Sequence, residues 1–362
     1  MMPPSSIDVT VAVVPREKFS CAPLTLDALL QNGTLPFKLI YVDGNSPDES
    51  RRWLRQRLEH RPHTELVRYE HYLGPMQSRN VAIDRVDTKY LMMVDNDVYL
   101  QPGCIEALYR CAEEEQAGAV TPLILRGGLD SDNIHVAGGE CEVRRNADGK
   151  TYFHHRQKWE HSLLSEVGGQ LVREPTKLLE DHCIFARTDV LRSLGRLDER
   201  LCLMVSSAEF SFLFQKTGAK LLFEPTARAI YLWGPDVPFR LSDLPFWYLV
   251  WSEAWSRSQM RDLSRRHNVE MDYGASQTEL WWIGYQRRAP LIPFLEANRR
   301  RFKRMKLDRL GFFVGKAIEK AEVATSYLIS EWALRQKSAH NLPCPSVFST
   351  NKRSVDGRPR PA

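Results

Sequence analysis

Two aspartates, Asp95 and Asp97, stand where a protein can use carboxylates for chemistry. They follow an apolar run, Tyr90 to Val94, that is typical of a buried strand, and Asn96 separates them. In an open parallel sheet, ligands bind beyond the carboxyl ends of the strands. Two carboxylates two residues apart could hold a hard divalent cation there and leave coordination positions for phosphate oxygens. An ordinary turn after a strand is the alternative, because Asp and Asn also favour turns.

The elements before this pair alternate regularly between strand and helix. Strands are predicted over 7–14, 37–42, 65–69 and 90–94, and helices over 24–30, 48–60 and 74–86. Such an alternation indicates βαβ units and a parallel sheet, in which the carboxyl ends of the strands share one edge. Asp43, which follows the second strand, and Arg79, in the third helix, can therefore converge with Asp95 and Asp97 on one crevice.

The middle of the chain continues the α/β pattern less regularly. Helices are predicted over 102–116, 189–194 and 209–216, and strands over 119–125, within 178–187 and over 219–223. Residues 127–150 are rich in Gly, Asp and Asn, which indicates loops and a hairpin with its turn at 146–149. His154, His155 and His161 invite a metal-site hypothesis, but their polar, irregular surroundings favour a solvated loop.

Length and composition favour an ordinary globular protein. The 362 residues, 43% of them hydrophobic, suffice for one large domain or two smaller ones. The longest uncharged apolar run, 244–251, is far shorter than the ~20 residues of a membrane-spanning helix. Seven scattered cysteines without a Cys-X-X-Cys pair argue against zinc and disulfides. With no features of a signal peptide at the N-terminus, we expect a cytoplasmic protein.

Positive charge is concentrated near the C-terminus. The net charge is +5, yet residues 287–309 hold nine Lys and Arg against Glu296 and Asp308. The basic segment 299–306 could contact an anionic membrane at its inner face, and a solvated helix face is the alternative. No nucleic acid is expected as a partner, because the basic segment lacks interleaved aromatics and a recognition motif.

The C-terminal third has its own character. Aromatic residues and prolines dominate 233–255, with a helix predicted from about 244; its aromatic face could stack a sugar, although core packing is the alternative. A long helix is predicted over 296–334, with its apolar face formed by Leu307, Leu310, Val314, Ile318, Ala321 and Leu328. The expected organisation is a catalytic domain (1–235), a helical extension (236–337) and a disordered tail (338–362).

Six segments in this order resemble the family 2 glycosyltransferases of the GT-A fold. They are VTVAVVP (9–15), YVDGNSPDES (41–50), GPMQSRNVAI (74–83), VDNDV (94–98), RTDVLRSLGRLDERL (187–201) and AEFSFLFQKTGAKLLFEP (208–225). The resemblance implies an α/β nucleotide-diphospho-sugar transferase fold, with a mostly parallel sheet flanked by helices and here a helical C-terminal extension. It also implies inverting transfer of a sugar from a nucleotide-sugar donor, most often a UDP-sugar, to a hydroxyl of a glycan or a lipid-linked acceptor.

The same resemblance assigns roles to the strand-end residues. Pro15 and Asp43 would line the nucleobase and ribose pocket, and Arg79 would face the pyrophosphate or hold Asp43. The implied donor-binding set is Pro15, Asp43, Arg79, Asp95 and Asn96. The implied metal ligands are Asp97 and Asp95, which would hold Mn²⁺ or Mg²⁺ against the donor phosphates.

The chain departs from the family where the catalytic base is expected. Ser206-Ser207 stands in place of the common Glu-Asp pair, and Tyr231 stands near a position where many members carry a metal-binding His. Glu209 is one substitute for the missing base, at the start of a predicted helix. Glu180-Asp181-His182, before a predicted strand, is the other: a His beside two acids could serve as a base or a metal ligand, and a salt bridge at the strand end is the alternative.

Two interpretations follow from this departure. The chain resembles a subgroup of the family with an altered catalytic-base motif, in which Ser206 to Glu209, His182 and Trp251 to Trp255 are the matching pieces. An active transferase of that subgroup is the main hypothesis. The alternative is a degenerate module of the same fold that binds nucleotide-sugar or glycan without turnover.

Overall fold

A computed structural model of the chain describes residues 7–199, 201, 204–234, 236–269, 273–339 and 346–349. Its strands are β1 (Val9–Val14), β2 (Phe37–Gly44), β3 (Thr64–Tyr69), β4 (Tyr90–Asp95), β5 (Val98–Leu100), β6 (Ala119–Gly127), β7 (Ile134–Val136), β8 (Gly139–Arg145), β9 (Thr151–Gln157), β10 (Glu174–Pro175), β11 (Cys183–Arg187), β12 (Leu221–Leu232) and β13 (Ser346–Ser349). Its helices are α1 (Ala22–Asn32), α2 (Asp48–Leu58), α3 (Pro75–Arg85), α4 (Cys104–Glu115), α5 (Leu164–Val167), α6 (Thr188–Ser193), α7 (Met204–Lys216), α8 (Leu244–Val250), α9 (Glu253–His267), α10 (Tyr273–Arg288), α11 (Ile292–Arg304) and α12 (Asp308–Ala339).

Eleven strands form one sheet that positions the predicted site. Its order is β10-β12-β6-β11-β4-β1-β2-β3-β13, with β5 and β7 paired at its side. The strands β3, β2, β1 and β4 are parallel to one another, as the βαβ pattern predicted. β11 runs antiparallel to both its neighbours, so the complete sheet is mixed. The predicted α/β fold with a helical C-terminal region is confirmed.

The buried strands β1 and β4 are covered on both faces, which explains their continuous apolar sequences. Successive side chains of β1 point to opposite faces. Val11 and Val13 pack with Leu26 of α1 and Leu54 of α2, whereas Ala12 packs in the core that includes α3 and α7. Both layers leave the carboxyl ends of β1, β2 and β4 at the same edge of the sheet.

The predicted hairpin is present, and His154 and His155 lie on its second strand, whereas His161 lies in the exposed turn that follows. β8 and β9 pair antiparallel, with their turn at 146–149. His154 and His155 lie on β9, where His154 Nε2 is 2.8 Å from Glu140 Oε2 on β8. Phe153 packs edge-on against Phe212 of α7 at 4.4 Å between ring centroids. The strand forms because these side chains find cross-strand and core partners that local polarity does not reveal.

The long helix predicted over 296–334 is two helices. α11 ends at Arg304 and α12 begins at Asp308, with Lys306 between them in the left-handed conformation. Phe302 packs against Gly311, where an added Cβ would lie 2.8 Å from the Phe302 Cβ. That close approach requires glycine and brings the start of α12 against the end of α11.

The predicted apolar face of α12 was assigned wrongly. Four of its six members are exposed: Leu307, Leu310, Ala321 and Leu328. α12 instead packs on α8 and α10 through polar groups, because Glu322 forms a buried ion pair with Arg287 and Ser326 Oγ donates to the Tyr248 carbonyl at 3.5 Å. Among the helices that the structure describes, none combines the length and apolar character needed to cross a bilayer.

The C-terminal helices pack over the edge of the sheet that carries the predicted site. Phe246 of α8 contacts Phe19, which follows β1, at 4.6 Å between ring centroids, and it also contacts Tyr72, which follows β3. Ser20 donates through its hydroxyl to Asp243 at the start of α8. α8 therefore covers the segment after β1. Of the predicted tail, 338–339 end α12 and 346–349 pair with β3, and the rest lies outside the described residues.

Candidate active site

Seven charged or ionisable side chains meet at the carboxyl ends of β1 and β4. We call them the charged cluster: Arg16, Lys18, Arg79, Asp95, Asp97, Asp181 and His182. Backbone bonds fix the segments that carry them, because Asn96 N–H donates to the Val14 carbonyl and Asp95 N–H donates to the His182 carbonyl, both at 3.0 Å. Each of the seven is less than one-tenth exposed.

Asp95 is held by two arginines. Arg79 Nη2 donates to its Oδ1 at 2.9 Å, and Arg16 Nη1 donates to its Oδ2 at 2.8 Å. Arg79 is fully buried and also donates to the Asp181 carbonyl, so it does not face an open phosphate site. Both oxygens of Asp95 are therefore engaged within the protein.

Asp97 has a different environment, although it is equally buried. Lys18 Nζ lies 3.1 Å from its Oδ2, but neither oxygen accepts a hydrogen bond from any residue that the structure describes. Burial raises the pKa of Asp97, and Lys18 opposes that shift. Lys18 also donates to the Leu232 carbonyl and lies over the ring of Tyr231 at 4.2 Å. Asp97 thus retains lone pairs for another ligand.

Asp181 supplies a carboxylate where the family motif is altered. Its Oδ2 accepts from Ser206 Oγ at 2.6 Å and its Oδ1 from Ser207 Oγ at 3.0 Å. Burial would raise the pKa of Asp181, but Arg79 and Arg16, at 4.0 and 3.9 Å, outweigh it and hold the pKa below its usual value. An ionised carboxylate therefore lies directly against the two serines.

His182 is neutral and packed in place. Its Nδ1 lies 2.9 Å from Arg16 Nη1, a donor, and 3.1 Å from Asp95 Oδ2, an acceptor. Burial and the positive charge of Arg16 hold its pKa well below the usual value. The ring stacks on Tyr231 at 4.2 Å. A cavity of about 70 Å³, room for a few water-sized groups, is lined in part by Glu180, Asp181 and His182.

Glu209 is not brought into the charged cluster. Two residues along a helix correspond to a rotation of about 200°, so Glu209 and Ser207 lie on opposite sides of α7. Glu209 accepts from Arg266 Nη1 at 2.7 Å and also binds His267, both on α9. Burial would raise its pKa, but His267 and Arg266 outweigh that effect and lower it. Glu209 ties α7 to α9, so the structure does not bring it to the charged cluster, and its role as the base stays a prediction.

The residues that were predicted to line the nucleobase pocket, Pro15 and Asp43, lie at the ends of β1 and β2. Asp43 accepts from Ser46 N–H at 2.8 Å and pairs with Arg68 of β3 at 2.5 Å, so Arg68 has the role that Arg79 was expected to play. Pro15 lies close to Gly44, where an added Cβ would be 3.1 Å from the Pro15 Cγ. Pro15 therefore lies beside the residue that follows Asp43, and the role of both in a nucleobase pocket stays a prediction.

Asn96 fixes backbone rather than facing an open pocket. Its Oδ1 accepts from the N–H of Arg16 at 2.9 Å, and its carbonyl accepts from Thr25 Oγ1 at 2.8 Å. Asn96 is completely buried. Its side chain thereby sets the position of the segment that carries Arg16 and Lys18.

A divalent cation can be accommodated on the Asp97 side of the cluster. Asp95, Asp97 and His182 each offer a ligand atom, and these atoms lie within 4.8 Å of one another. The two Asp97 oxygens without hydrogen bonds are suitable ligands for Mg²⁺ or Mn²⁺. Asp95 is occupied by its arginines, and Lys18 holds the position nearest Asp97. The residues fit a cation that is bound chiefly by Asp97. Such a cation would take the position that the Lys18 ammonium group now occupies beside Asp97.

Three basic residues were missed in the sequence. Arg16 and Lys18 follow β1 directly, and Arg68 lies on β3. Glu17, between the first two, is fully buried, and burial raises its pKa to about 7. The run Arg16-Glu17-Lys18 was a usable signal, because it stands at the carboxyl end of a buried strand, as Asp95 and Asp97 do.

A larger cavity begins at Lys18. Its volume is about 570 Å³, within the ~300–1,000 Å³ typical of ligand sites. Aromatic side chains form much of its wall: Trp233, Phe239, Trp247 and Tyr285. Glu296 and Arg300 of α11 also line it. It connects the C-terminal helices with the side of the cluster that carries Lys18.

Comparisons with known proteins give one family match and several similar solved structures. Residues 16–195 match the model of glycosyl transferase family 2. No curated protein gives a significant match. Similar solved structures include GalNAc-T7 with UDP, GalNAc and Mn²⁺, at 14% identity and a TM-score of 0.47, covering 76% of this chain and 55% of that one. They also include residues 1–349 of S. aureus TarS with UDP-GlcNAc, at 15% identity and a TM-score of 0.47, covering 91% of this chain and 92% of that one. This chain spans about half the length of the GalNAc-T7 chain.

Proposed function

Over residues 16–195 this chain belongs to the family 2 glycosyl transferases, and from that membership we propose that it moves a sugar from a UDP-sugar to an acceptor hydroxyl with inversion. Membership makes a nucleotide-sugar the donor class, and uridine is the most frequent nucleobase in the family. The acceptor we propose is a glycan or a lipid-linked sugar, and a lipid-linked acceptor would place the reaction at the inner face of the membrane.

The observation that carries the proposal is the state of Asp97. It lies just beyond β4, is completely buried, and has two carboxylate oxygens without hydrogen bonds among the described residues. The ion pair with Lys18 at 3.1 Å compensates Oδ2 only. An uncompensated oxygen of a buried carboxylate is costly unless it serves a ligand. A divalent cation at Asp97, when bound, would neutralise charge that builds on the departing diphosphate.

The base we propose is Asp181. It would take the proton of the acceptor hydroxyl while the acceptor oxygen forms a bond to the anomeric carbon. The bond from that carbon to the diphosphate oxygen breaks on the opposite side, which inverts the configuration. Ser206 and Ser207 orient the carboxylate, and Arg16 and Arg79 keep it ionised. The next residue, His182, is held in place by stacking on Tyr231.

The test of the donor site is calorimetric titration of the full-length protein with UDP, GDP and dTDP, each with and without Mn²⁺. We expect one nucleotide, UDP, to bind more tightly when Mn²⁺ is present. Binding of none of them by protein with a normal circular dichroism spectrum would contradict the proposal. Equal binding with and without Mn²⁺ would contradict the proposed role of the metal and would still support the proposed donor site.

The second candidate function is a non-catalytic module that binds nucleotide-sugar. One observation favours it: the cluster neutralises its own charge, because Asp95, Asp97 and Asp181 face Arg16, Lys18 and Arg79. Such a module would bind nucleotide but release no nucleoside diphosphate from a UDP-sugar, with water or with any acceptor.

Lys18→Met is expected to strengthen Mn²⁺ binding at least about tenfold, because it removes a positive charge about 3 Å from the ligand oxygen. The measurement is a titration with Mn²⁺ followed by electron paramagnetic resonance of the free ion. Lys38→Met is the matched control, since Lys38 pairs with Asp87 outside the cluster. Unchanged affinity in Lys18→Met would show that Lys18 and Mn²⁺ do not share a position.

A further inference from the structure

The turn between α11 and α12 exposes an unusual amount of apolar surface. We call residues 292–313 the basic turn. Six of its large apolar side chains are between 41% and 67% exposed: Phe294, Met305, Leu307, Leu310, Phe312 and Phe313. The rings of the last two contact each other at 5.8 Å, and α12 packs on α8 farther along. Clustered apolar side chains of this kind mark a surface that meets a partner.

The same segment carries seven exposed cations. They are Arg299, Arg300, Arg301, Lys303, Arg304, Lys306 and Arg309. None of them forms an ion pair with an acid among the residues that the structure describes, and the segment contains two acids, Glu296 and Asp308. The positive charge is therefore not neutralised within this part of the fold, and the partner must be anionic.

An anionic phospholipid surface fits both properties at once. Its headgroups attract Lys and Arg, and the layer beneath them accepts apolar side chains at shallow depth. A second copy of this chain fits less well, because seven cations would face seven cations. We propose that the basic turn docks on an anionic membrane, with Phe312 and Phe313 inserted and the cations on the headgroups.

The position of the basic turn connects this surface with the site. Arg300 of α11 and Lys18 of the charged cluster line the same cavity of about 570 Å³. A membrane at the turn would thus lie beside an aromatic-walled space that ends near Asp97. If the proposed function holds, this arrangement favours an acceptor that is anchored in the membrane and enters the cavity past α11.

The test is sedimentation of the full-length protein with vesicles. We expect it to bind vesicles of phosphatidylcholine with phosphatidylglycerol, to release them at high salt, and not to bind phosphatidylcholine alone. The double variant Arg301→Glu, Arg304→Glu should lower the affinity at least about twentyfold, from about fivefold for each cation at an anionic surface. Phe312→Ser with Phe313→Ser should lower it as well; both residues are exposed, so folding is retained.

The matched control is Arg52→Glu with Arg55→Glu on α2. It makes the same change of net charge at exposed positions on another helix. We expect it to keep vesicle binding. An equal loss in both double variants would overturn the proposal, because net charge alone would then explain binding. Absence of vesicle binding by wild type would also overturn it, as would dimers that Phe312→Ser with Phe313→Ser abolishes.

Nucleotide titration of the same variants separates this proposal from the proposed function. Arg301, Arg304, Phe312 and Phe313 are not among the residues that line the cavity, so we expect UDP binding with Mn²⁺ to be unchanged. Loss of vesicle binding with normal nucleotide binding would leave the donor site standing. Vesicle binding without any nucleotide binding would instead contradict the proposed function alone.

Discussion

Asp97→Asn is expected to reduce release of UDP from the UDP-sugar about a thousandfold, since it removes the charge that would hold the cation at the leaving diphosphate. An amide oxygen at this position is neutral and a weaker ligand for Mn²⁺ or Mg²⁺. Titration should show that Mn²⁺ no longer strengthens nucleotide binding. The measurements are the rate of UDP release with water as acceptor and calorimetry with UDP.

The variant also leaves Lys18 buried without its partner, which costs about 3 kcal/mol or more of stability. Two controls separate this loss from chemistry. Asp97→Asn with Lys18→Met removes both charges and should recover stability but not activity. Glu224→Gln breaks another buried ion pair, with Arg173, and should lower stability without affecting UDP release. A normal rate of UDP release in Asp97→Asn would contradict the proposed role of Asp97.

Asp181→Asn is expected to lower the turnover number about a thousandfold, the range lost with a general base, while UDP still binds with its wild-type affinity. The amide can accept from Ser206 or Ser207 but cannot take a proton from the acceptor. A merely structural role would weaken binding and turnover together. The decisive measurement is therefore the ratio of the two losses, from single-turnover kinetics and calorimetry on one preparation.

Glu209→Gln is the companion variant. We expect it to keep turnover close to wild type and to lose stability, because Arg266 and His267 would lose a charged partner. If Glu209→Gln instead stopped turnover while Asp181→Asn retained it, the assignment of the base would have to be reversed.

The fold was predictable where the signal is local. The strands β1, β2 and β4 are continuous apolar runs that end in charged residues, and the helices between them have the expected spacing. β12 was predicted to stop before Pro225, yet it continues to Leu232 because a register shift between Glu224 and Arg228 accommodates the proline. A bulge depends on the neighbouring strand, which a single segment does not reveal.

The site was predictable only in part, for a related reason. The position of Asp97 follows from its own strand. The partners of Asp95 come from 16 and 79 residues away along the chain, and periodicity carries no information on such contacts. The separation of Glu209 from the cluster has another origin, because helix geometry alone places it away from Ser207. The serines that seemed to remove the base instead hold Asp181.

The burial of Asp97 beneath the segment that α8 covers has a kinetic consequence. On the route past Phe246 and Phe19 a donor meets packed side chains, so a donor that enters there binds only in the fraction of molecules in which that cover has moved. The observed dissociation constant is then the intrinsic one divided by this fraction. The association rate levels off at high donor concentration, at the rate with which the cover opens. The association rate along this route would then depend on the packing of Phe246 on Phe19, residues that are far in the sequence from Asp97.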